Sequence, residues 1–281
     1  MFSQLESKYV EIPLRDSAVR LTAKILCHKD PVAGGNKYYK LKYNLLRAKE
    51  LGLNHMVTMG GAFSNHLAAT ARVCRSLGLR STGIVRGEPV SNKTLNRAVA
   101  DGMELVFVSR ERYRDRYEPG FAESVLGRAS DWWLVPEGGS NEEGVRGCQE
   151  ILDAYDDVFD WVAVCCGTGS TAHGLSKSLK PHQRLLGFCV LRHADEIKER
   201  FNGNEQVEIN EDFHFGGYAK STPRLEKYCE DFHHDSGIEI EPIYTGKMFF
   251  GLHQLISEGR FAAGSRILAL HTGGLQYLTE D

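Results

Sequence analysis

The sequence predicts an α/β protein built mainly on parallel sheets. A strand, a glycine turn and a helix recur along the chain, which is the repeating unit of that class. Residues 161–166 and 185–191 are continuous apolar runs, as strands buried on both faces of a parallel sheet would be. Ligands of such sheets bind beyond the carboxyl ends of the strands. Glycines at strand ends therefore mark the expected cleft, at residues 60–61, 138–139, 167–174 and 273–274.

The first helix is predicted to follow a tight glycine turn at Gly34 and Gly35. A strand over residues 19–26 precedes this turn. Three apolar residues then recur at helical spacing: Leu41, Leu45 and Ala48. Gly52 lies where such a helix would end.

The next part of the chain repeats the same unit. Strands are predicted at residues 56–59, 82–85, 104–108 and 134–136. One helix is expected to begin at Ser64 and another to cover residues 92–101, whereas the densely charged residues 110–116 are expected to be solvated. A further helix after Asn141 would carry one apolar face, formed by Val145, Cys148, Leu152 and Tyr155.

The last third of the chain contributes two more strand–loop–helix units. Residues 185–191 and 266–271 are predicted strands, and the polar residues 202–212 are predicted to be a surface loop. A helix opening at Gly246 would end at Gly259. Its apolar face comprises Met248, Leu252, Leu255 and Ile256. His233, His234 and Asp235 are interpreted as a solvated helix end, because adjacent residues rarely ligate one metal ion.

The composition argues against several classes of protein. Of the 281 residues, 42% are hydrophobic, which is ordinary for a packed globular protein of one large or two modest domains. A formal charge of −3 offers no basic surface for nucleic acid. No apolar run approaches a membrane span, and the first residues lack a signal peptide's features. The seven cysteines include no C-x-x-C pair, so we expect reduced thiols and a cytoplasmic protein.

Three lysines near the start of the first predicted helix are candidates for chemistry: Lys37, Lys40 and Lys42. The positive end of the helix dipole disfavours an ammonium group there, and burial disfavours it further. Both effects favour the neutral, nucleophilic amine that a Schiff-base lysine needs. The alternative is a solvated face, since lysines are mostly exposed.

The glycine loop after residue 166 joins a buried strand to a helix and suits an anion. Its residues are Gly167, Thr168, Gly169, Ser170 and Thr171. A Walker loop would need Gly-Lys-Ser/Thr, which is absent. The pattern Gly167-x-Gly169-x-x-Ala172 matches a dinucleotide fingerprint, but no acid follows the next strand to bind a ribose, so only an NADP site remains open. The third interpretation is a phosphate cup for pyridoxal phosphate.

Taken together, Asn36-Lys37-x-x-Lys40-Leu41 and the 167–171 loop resemble motifs of the 1-aminocyclopropane-1-carboxylate deaminase and D-cysteine desulfhydrase family. Members of this family are pyridoxal-phosphate enzymes of fold type II. The resemblance implies that Lys40 carries the cofactor and that the 167–171 loop binds its phosphate. Tyr39 and Lys42 depart from the family, which usually has Arg and Glu there.

Three further stretches resemble family motifs. In residues 60–66, the resemblance implies that Ser64 lies by the substrate carboxylate, that Asn65 binds the cofactor's ring oxygen, and that His66 joins them in the substrate site. In residues 241–248 it implies that Tyr244 faces the substrate. The ending His271-Thr272-Gly273-Gly274 is similar to the desulfhydrase branch, where Thr272 would place a hydroxyl at the pyridine nitrogen. Residues 137–141 and 215–220 also resemble family segments.

The resemblance implies two three-layer α/β/α domains with pyridoxal phosphate between them. Residues 1–53 and 136–281 would form the larger, cofactor-binding domain, and residues 54–135 the smaller one. A homodimer is expected. The expected reaction is β-elimination from a small amino acid, first D-cysteine, giving pyruvate, sulfide and ammonia, with Lys40, Ser64 and Tyr244 as catalytic residues. The alternatives are ring opening of aminocyclopropane carboxylate, an NADP-dependent reductase, and a protein that binds the cofactor without turnover.

Overall fold

The computed structural model describes residues 5–26, 30, 32–127, 131–192 and 194–273. Its β-strands are β1 Ser7–Ile12, β2 Arg20–Leu26, β3 His55–Gly61, β4 Arg80–Arg86, β5 Met103–Val108, β6 Trp133–Val135, β7 Trp161–Cys166, β8 Arg184–Cys189, β9 Val207–Asn210 and β10 Arg266–His271. Its α-helices are α1 Asn36–Glu50, α2 Asn65–Leu77, α3 Lys93–Ala100, α4 Phe121–Leu126, α5 Glu142–Cys148, α6 Ser170–Ser176, α7 Asp195–Arg200, α8 Pro223–Ser236 and α9 Thr245–Ser257.

The strands form two sheets. The larger has the order β1-β2-β10-β7-β8-β9, and only the β1–β2 pair is antiparallel. The smaller has the order β5-β4-β3-β6 and is parallel throughout. This arrangement confirms the predicted α/β class with mainly parallel sheets. The division at residues 53/54 and 135/136 remains a prediction, although β3 to β6 all lie within residues 54–135.

Both faces of the larger sheet are covered. Helices α8 and α9 contribute Leu225, Phe232 and Phe249 to the core on one face. On the other face, α5, α6 and α7 pack through residues that include Cys148, Leu175 and Ile197. Because β7 and β8 are buried on both sides, their sequences contain no polar face.

Helix α1 lies between the two sheets. Its Leu41, Leu45 and Ala48 pack with residues of the smaller sheet and α2, as the helical spacing predicted. Its Tyr38 and Tyr39 pack instead in the core of the larger sheet. The buried side chains of α1 are therefore held at the junction of the two sheets.

Three predictions about elements were wrong or incomplete. Strand β1 was not predicted, and β9 lies within the stretch expected to be a surface loop; both are edge strands whose exposure weakens the apolar pattern. The helix after Asn141 ends at Cys148, so Tyr155 is exposed. There Asp153 caps a separate 3₁₀ turn by accepting from the Tyr155 N–H at 2.8 Å.

Within the described ranges, none of the helices combines the length and apolar character needed to span a membrane.

Candidate active site

The start of α1 is held against the end of β10. The Asn36 N–H donates to the Thr272 carbonyl at 3.2 Å. Gly35 has φ 63° and ψ −149°, a conformation that is essentially restricted to glycine. A Cβ at Gly35 would lie 2.1 Å from the Thr272 oxygen. The predicted glycine turn therefore brings the first turns of α1, with Lys40, next to Thr272.

Lys40 is buried in the cleft with an exposed fraction of only 5%. Its Nζ donates to the Gly138 carbonyl at 2.8 Å. Among the described residues, no carboxylate lies within ion-pair distance of Lys40. Burial is the main cause that lowers the pKa of Lys40 below its ordinary value, which favours the neutral amine.

Lys24 shows why burial alone does not identify a nucleophile. It is fully buried, but its Nζ forms ion pairs with Asp156 at 2.5 Å and Asp153 at 3.1 Å. It also donates to the Ile151 carbonyl at 2.9 Å. Since its three donors are all used, Lys24 is a structural residue, whereas Lys40 has only one partner among the described residues.

A polar network around Asn44 holds the backbone of Lys40. The Asn44 side chain is buried and donates to the Lys40 carbonyl at 2.8 Å. Its oxygen accepts from Trp133 Nε1 at 2.8 Å and from Asn141 Nδ2 at 2.7 Å. Asn44 thereby links α1 to β6 and to the 137–141 loop. Sequence reasoning missed it, although an Asn four residues after Lys40 on a buried helix was the available signal.

The 167–171 loop lies against the same carbonyl as Lys40. Ser170 is buried, and its Oγ donates to the Gly138 carbonyl at 3.3 Å. The hydroxyls of Thr168 and Ser170 are 3.3 Å apart. The buried Thr171 Oγ1 accepts from the side-chain amide of Asn36 at 2.9 Å. Gly167 and Gly169 frame these hydroxyls: a Cβ at Gly167 would contact Tyr244, and Gly169 adopts φ 78°.

The loop between β3 and α2 supplies buried polar groups without partners. Ser64 caps α2, and its Oγ accepts from the Leu67 N–H. Asn65 and His66 are buried, and Asn65 Oδ1 and both ring nitrogens of His66 lack a hydrogen-bond partner among the described residues. Burial, assisted by Lys40 and Lys37, holds the pKa of His66 well below its ordinary value, so the imidazole is neutral at pH 7.

Tyr244 lies at the start of α9, next to the 167–171 loop. A Cβ at Gly167 would be 3.4 Å from Tyr244 Cε1. The buried Glu241 carboxylate accepts from the N–H groups of Ile243 at 2.7 Å, Thr245 at 2.8 Å and Tyr244 at 3.1 Å, which fixes this turn. Burial, with the neighbouring Tyr218, raises the pKa of Tyr244 well above 10, so its hydroxyl remains a proton donor.

At the end of β10, the Thr272 hydroxyl is buried and lies 3.5 Å from the Cys165 thiol. His271 makes two contacts: Nε2–H donates to the Glu239 carbonyl at 2.8 Å, and Nδ1 accepts from the Gly273 N–H at 3.4 Å. Burial lowers the pKa of His271 below its ordinary value, although the hydrogen bond to Glu239 acts in the opposite direction. Gly274 and Tyr277 lie outside the described residues.

The two departures from the family motif face away from this cleft. Tyr39 is buried in the core of the larger sheet. Lys42 pairs with Glu150 at 2.5 Å on the surface of α1. His233, His234 and Asp235 lie at the exposed end of α8, as expected for a solvated helix end.

The match to known families decides the identity of the chain. Residues 8–273 match the family described as pyridoxal-phosphate dependent enzyme. The chain belongs to this family of pyridoxal-phosphate enzymes. A Pyrococcus horikoshii protein provisionally named 1-aminocyclopropane-1-carboxylate deaminase is 30% identical over 86% of this chain and 80% of its own length. D-cysteine desulfhydrase of Salmonella typhi is 27% identical, and the match covers 87% of this chain and 84% of that protein.

Solved structures agree with this assignment. The crystal structure of a homologue of 1-aminocyclopropane-1-carboxylate deaminase superimposes with a TM-score of 0.78 at 26% identity, covering 96% of this chain and 90% of the other. A hydrogen sulfide-producing enzyme of Fusobacterium nucleatum has the same fold, with a TM-score of 0.73 at 16% identity. The match covers 98% of this chain and 97% of the other. The family and its cofactor, predicted from the motifs, are thus confirmed, and the NADP alternative for the 167–172 loop is set aside.

The side chains of the cleft fit pyridoxal phosphate. The unpartnered Asn65 oxygen and His66 nitrogens would each cost about 1–3 kcal/mol if they stayed unsatisfied, so they call for a polar ligand. The hydroxyls of Thr168 and Ser170 and the turn at Gly169 suit a phosphate. The amine of Lys40 between them lacks a competing carboxylate among the described residues.

The cofactor-free protein should become more stable as the pH rises above 8, in part because of Lys37. Burial and the nearby Lys40 lower the pKa of Lys37 to about 8. The unfolded lysine has a pKa of about 10.4, so between these values the unfolded chain binds more protons and folding gains from rising pH. Between pH 7.5 and 9.5 we expect the free energy of unfolding to rise by an amount on the order of 1 kcal/mol. This is less than the full shift of the Lys37 pKa implies, because Lys37 is only partly buried.

Urea unfolding of the wild type and of Lys37→Met at the two pH values measures this gain. The rise in stability should be smaller in Lys37→Met than in the wild type, and the remainder comes from Lys40 and Lys247, whose pKa values burial also lowers. The control Lys42→Met should retain the full rise, because Lys42 pairs with Glu150 and has a raised pKa. If the free energy of unfolding changed equally with pH in Lys37→Met and in the wild type, Lys37 would not be a source of the pH dependence.

Proposed function

We propose that this enzyme catalyses β-elimination from a small amino acid, with D-cysteine as the preferred substrate and pyruvate, sulfide and ammonia as products after water is consumed. The observation that carries the proposal is the buried amine of Lys40, free of any carboxylate among the described residues, beside the hydroxyl-rich 167–171 loop and the neutral Thr272 hydroxyl. Relatives named D-cysteine desulfhydrase, 27–29% identical over 87% of the chain, support this choice of substrate.

In this proposal, eight residues would hold the cofactor. Lys40 would bind it covalently, Thr168, Ser170 and Thr171 would bind its phosphate, and Thr272 would contact its ring nitrogen. The backbone of Gly167 and Gly169 and the Asn65 side chain would complete the cofactor site. Pyridoxal phosphate, once bound, supplies the electron-withdrawing ring that stabilises negative charge at the substrate α-carbon. A neutral hydroxyl at Thr272 does not hold the ring nitrogen protonated as a carboxylate would.

The substrate would be oriented by residues at the start of α2 and α9. Ser64 Oγ and the free N–H groups at the start of α2 suit the substrate carboxylate. His66, neutral because of burial, offers one donor and one acceptor beside it. The raised pKa of Tyr244 keeps a proton on its hydroxyl, which can be donated to the departing sulfur.

The proton on the substrate α-carbon requires a base within the cleft. Lys40 Nζ is suited to accept this proton, because burial favours its neutral form. Its contact with the Gly138 carbonyl, and the Asn44 network behind it, restrict where this nitrogen can move.

A second candidate reaction is deamination of 1-aminocyclopropane-1-carboxylate with ring opening, which yields 2-oxobutyrate and ammonia. Relatives provisionally named for this activity reach 30% identity, which is the observation in its favour. The ending at residues 271–274, which is similar to the desulfhydrase branch, makes this reaction the less favoured of the two.

A panel of amino acids separates the two reactions. We expect pyruvate and sulfide in equal amounts from D-cysteine, with kcat/KM at least about tenfold above that for L-cysteine, D-serine or 1-aminocyclopropane-1-carboxylate. Keto acids are identified by mass, and Lys40→Ala with added pyridoxal phosphate corrects for reaction of the free cofactor. Faster release of 2-oxobutyrate than of pyruvate would replace the first proposal with the second. No keto acid from any member would contradict both substrate assignments.

A further inference from the structure

The segment of residues 213–220, here called the clasp, adopts an unusual backbone. Phe215 has φ 49°, Gly216 90°, Gly217 110° and Ala219 54°. Two of these four residues are not glycine, and positive φ is unfavourable for them. Such a conformation persists only where the surroundings determine it, and strain of this kind is concentrated at functional sites.

Lys247 determines the shape of the clasp. Its Nζ donates to the His214 carbonyl at 2.9 Å and to the Gly217 carbonyl at 2.8 Å. The residue is 1% exposed and lies in the first turn of α9, three residues after Tyr244. Gly217 has no space for a side chain, because a Cβ would lie 2.9 Å from Arg192 Cγ. The clasp is therefore fixed to the same turn that carries Tyr244.

Tyr218 extends from the clasp to the opposite side of the cleft. Its hydroxyl donates to the Phe63 carbonyl at 3.1 Å, 155 residues away in the chain. Phe63 precedes Ser64 and Asn65 in the loop after β3 of the smaller sheet. This hydrogen bond joins an element of the larger-sheet side directly to the loop that starts α2.

Tyr218 also contacts Tyr244. Their ring centroids are 5.9 Å apart with the planes inclined at 66°. Tyr218 therefore contacts Tyr244 through its ring and the Ser64 loop through its hydroxyl.

We propose that Tyr218 is a positioning residue that fixes the distance between Tyr244 and the Ser64 loop and so restricts the enzyme to amino acids with small side chains. The inference rests on the proposed function in one respect, that Ser64 and Tyr244 contact the substrate. A larger side chain would have to separate these two residues, which breaks the bond to Phe63. Loss of the Tyr218 hydroxyl should weaken substrate binding and relax the selection by size.

The test compares Tyr218→Phe, which removes only the hydroxyl, with Tyr228→Phe. Tyr228 also has a hydrogen-bonded hydroxyl, 2.9 Å from His253 Nδ1, but it lies between α8 and α9 away from the cleft. Hydrogen exchange of the purified protein is measured first. We expect amides of residues 62–67 and 214–220 to exchange about fivefold faster in Tyr218→Phe only.

Kinetics with the best substrate of the amino-acid panel provide the second readout. In Tyr218→Phe we expect KM to rise about tenfold while kcat falls less than about threefold. We also expect the kcat/KM for D-penicillamine or another bulkier amino acid to rise relative to the kcat/KM for the small substrate. A general loss of structure would change kcat, KM and exchange throughout the chain. Unchanged exchange at residues 62–67, or a KM equal to that of Tyr228→Phe, would overturn the proposal. Because exchange needs no substrate, it tests the clasp even if D-cysteine is not the substrate.

Discussion

Replacement of Lys40 by Ala is expected to abolish covalent binding of pyridoxal phosphate and to lower kcat by roughly 10³-fold or more. A positioned general base alone contributes about 10²–10⁴-fold, and this variant also loses the covalent anchor. The other buried or half-buried lysines near the cleft already have partners. Lys37 donates to Asn36 Oδ1 at 2.7 Å, Lys24 is held by two aspartates, and Lys247 donates to the carbonyls of His214 and Gly217.

Borohydride reduction followed by peptide mass mapping measures the covalent bond directly. The wild type should yield one reduced adduct on the peptide that contains Lys40. Lys42→Ala is the matched control, because Lys42 lies on the same helix but pairs with Glu150 outside the cleft, and it should label like the wild type. An adduct of equal yield on another lysine in Lys40→Ala would show that Lys40 is not the anchor.

Replacement of Gly35 by Ala is expected to destabilise the protein by about 3 kcal/mol or more and to impair cofactor binding. The backbone at φ 63° and ψ −149° is strained for any residue with a Cβ, which costs about 1–3 kcal/mol. The new Cβ would also lie 2.1 Å from the Thr272 oxygen, so the start of α1 must move away from β10. This movement displaces both Lys40 and Thr272.

Gly52→Ala separates the two causes. Gly52 follows the other end of α1 and also has positive φ, at 70°, but a Cβ added there would have no described atom within 4 Å. Its replacement should lower the free energy of unfolding only by the cost of placing a side chain at positive φ, about 1 kcal/mol. Urea unfolding and titration with pyridoxal phosphate measure both variants. Equal losses of stability in the two variants would show that the contact with Thr272 does not hold α1.

Much of the fold could be predicted because the parallel strands are buried on both faces. The predicted strands at 161–166 and 266–271 coincide with β7 and β10. Predictions failed where the local pattern is weak, as in the edge strands β1 and β9, or where a polar cap interrupts a helical pattern, as Asp153 does after α5. Helix α1 was predicted with its apolar face, but its position between two sheets was not.

Within the cleft, the sequence indicated the residue types and the structure determined their partners. Lys40, the 167–171 loop and Thr272 were recognised from their motifs. The carbonyl of Gly138 that Lys40 and Ser170 share, and the Asn44 network, were not foreseen. Tyr218 lay in a recognised motif without an assigned role, because its partner Phe63 is distant in the chain.

The sequence by itself determined the α/β class, the family and its cofactor, since these follow from local periodicity and from short motifs that contain their own chemistry. Only the tertiary structure decided which groups surround each buried lysine. Lys24 and Lys40 both have buried amines, but packing brings Asp153 and Asp156 to Lys24, whereas the described partner of Lys40 is a carbonyl. The nucleophilicity of an amine depends on the charges around it, and those charges come from distant parts of the chain.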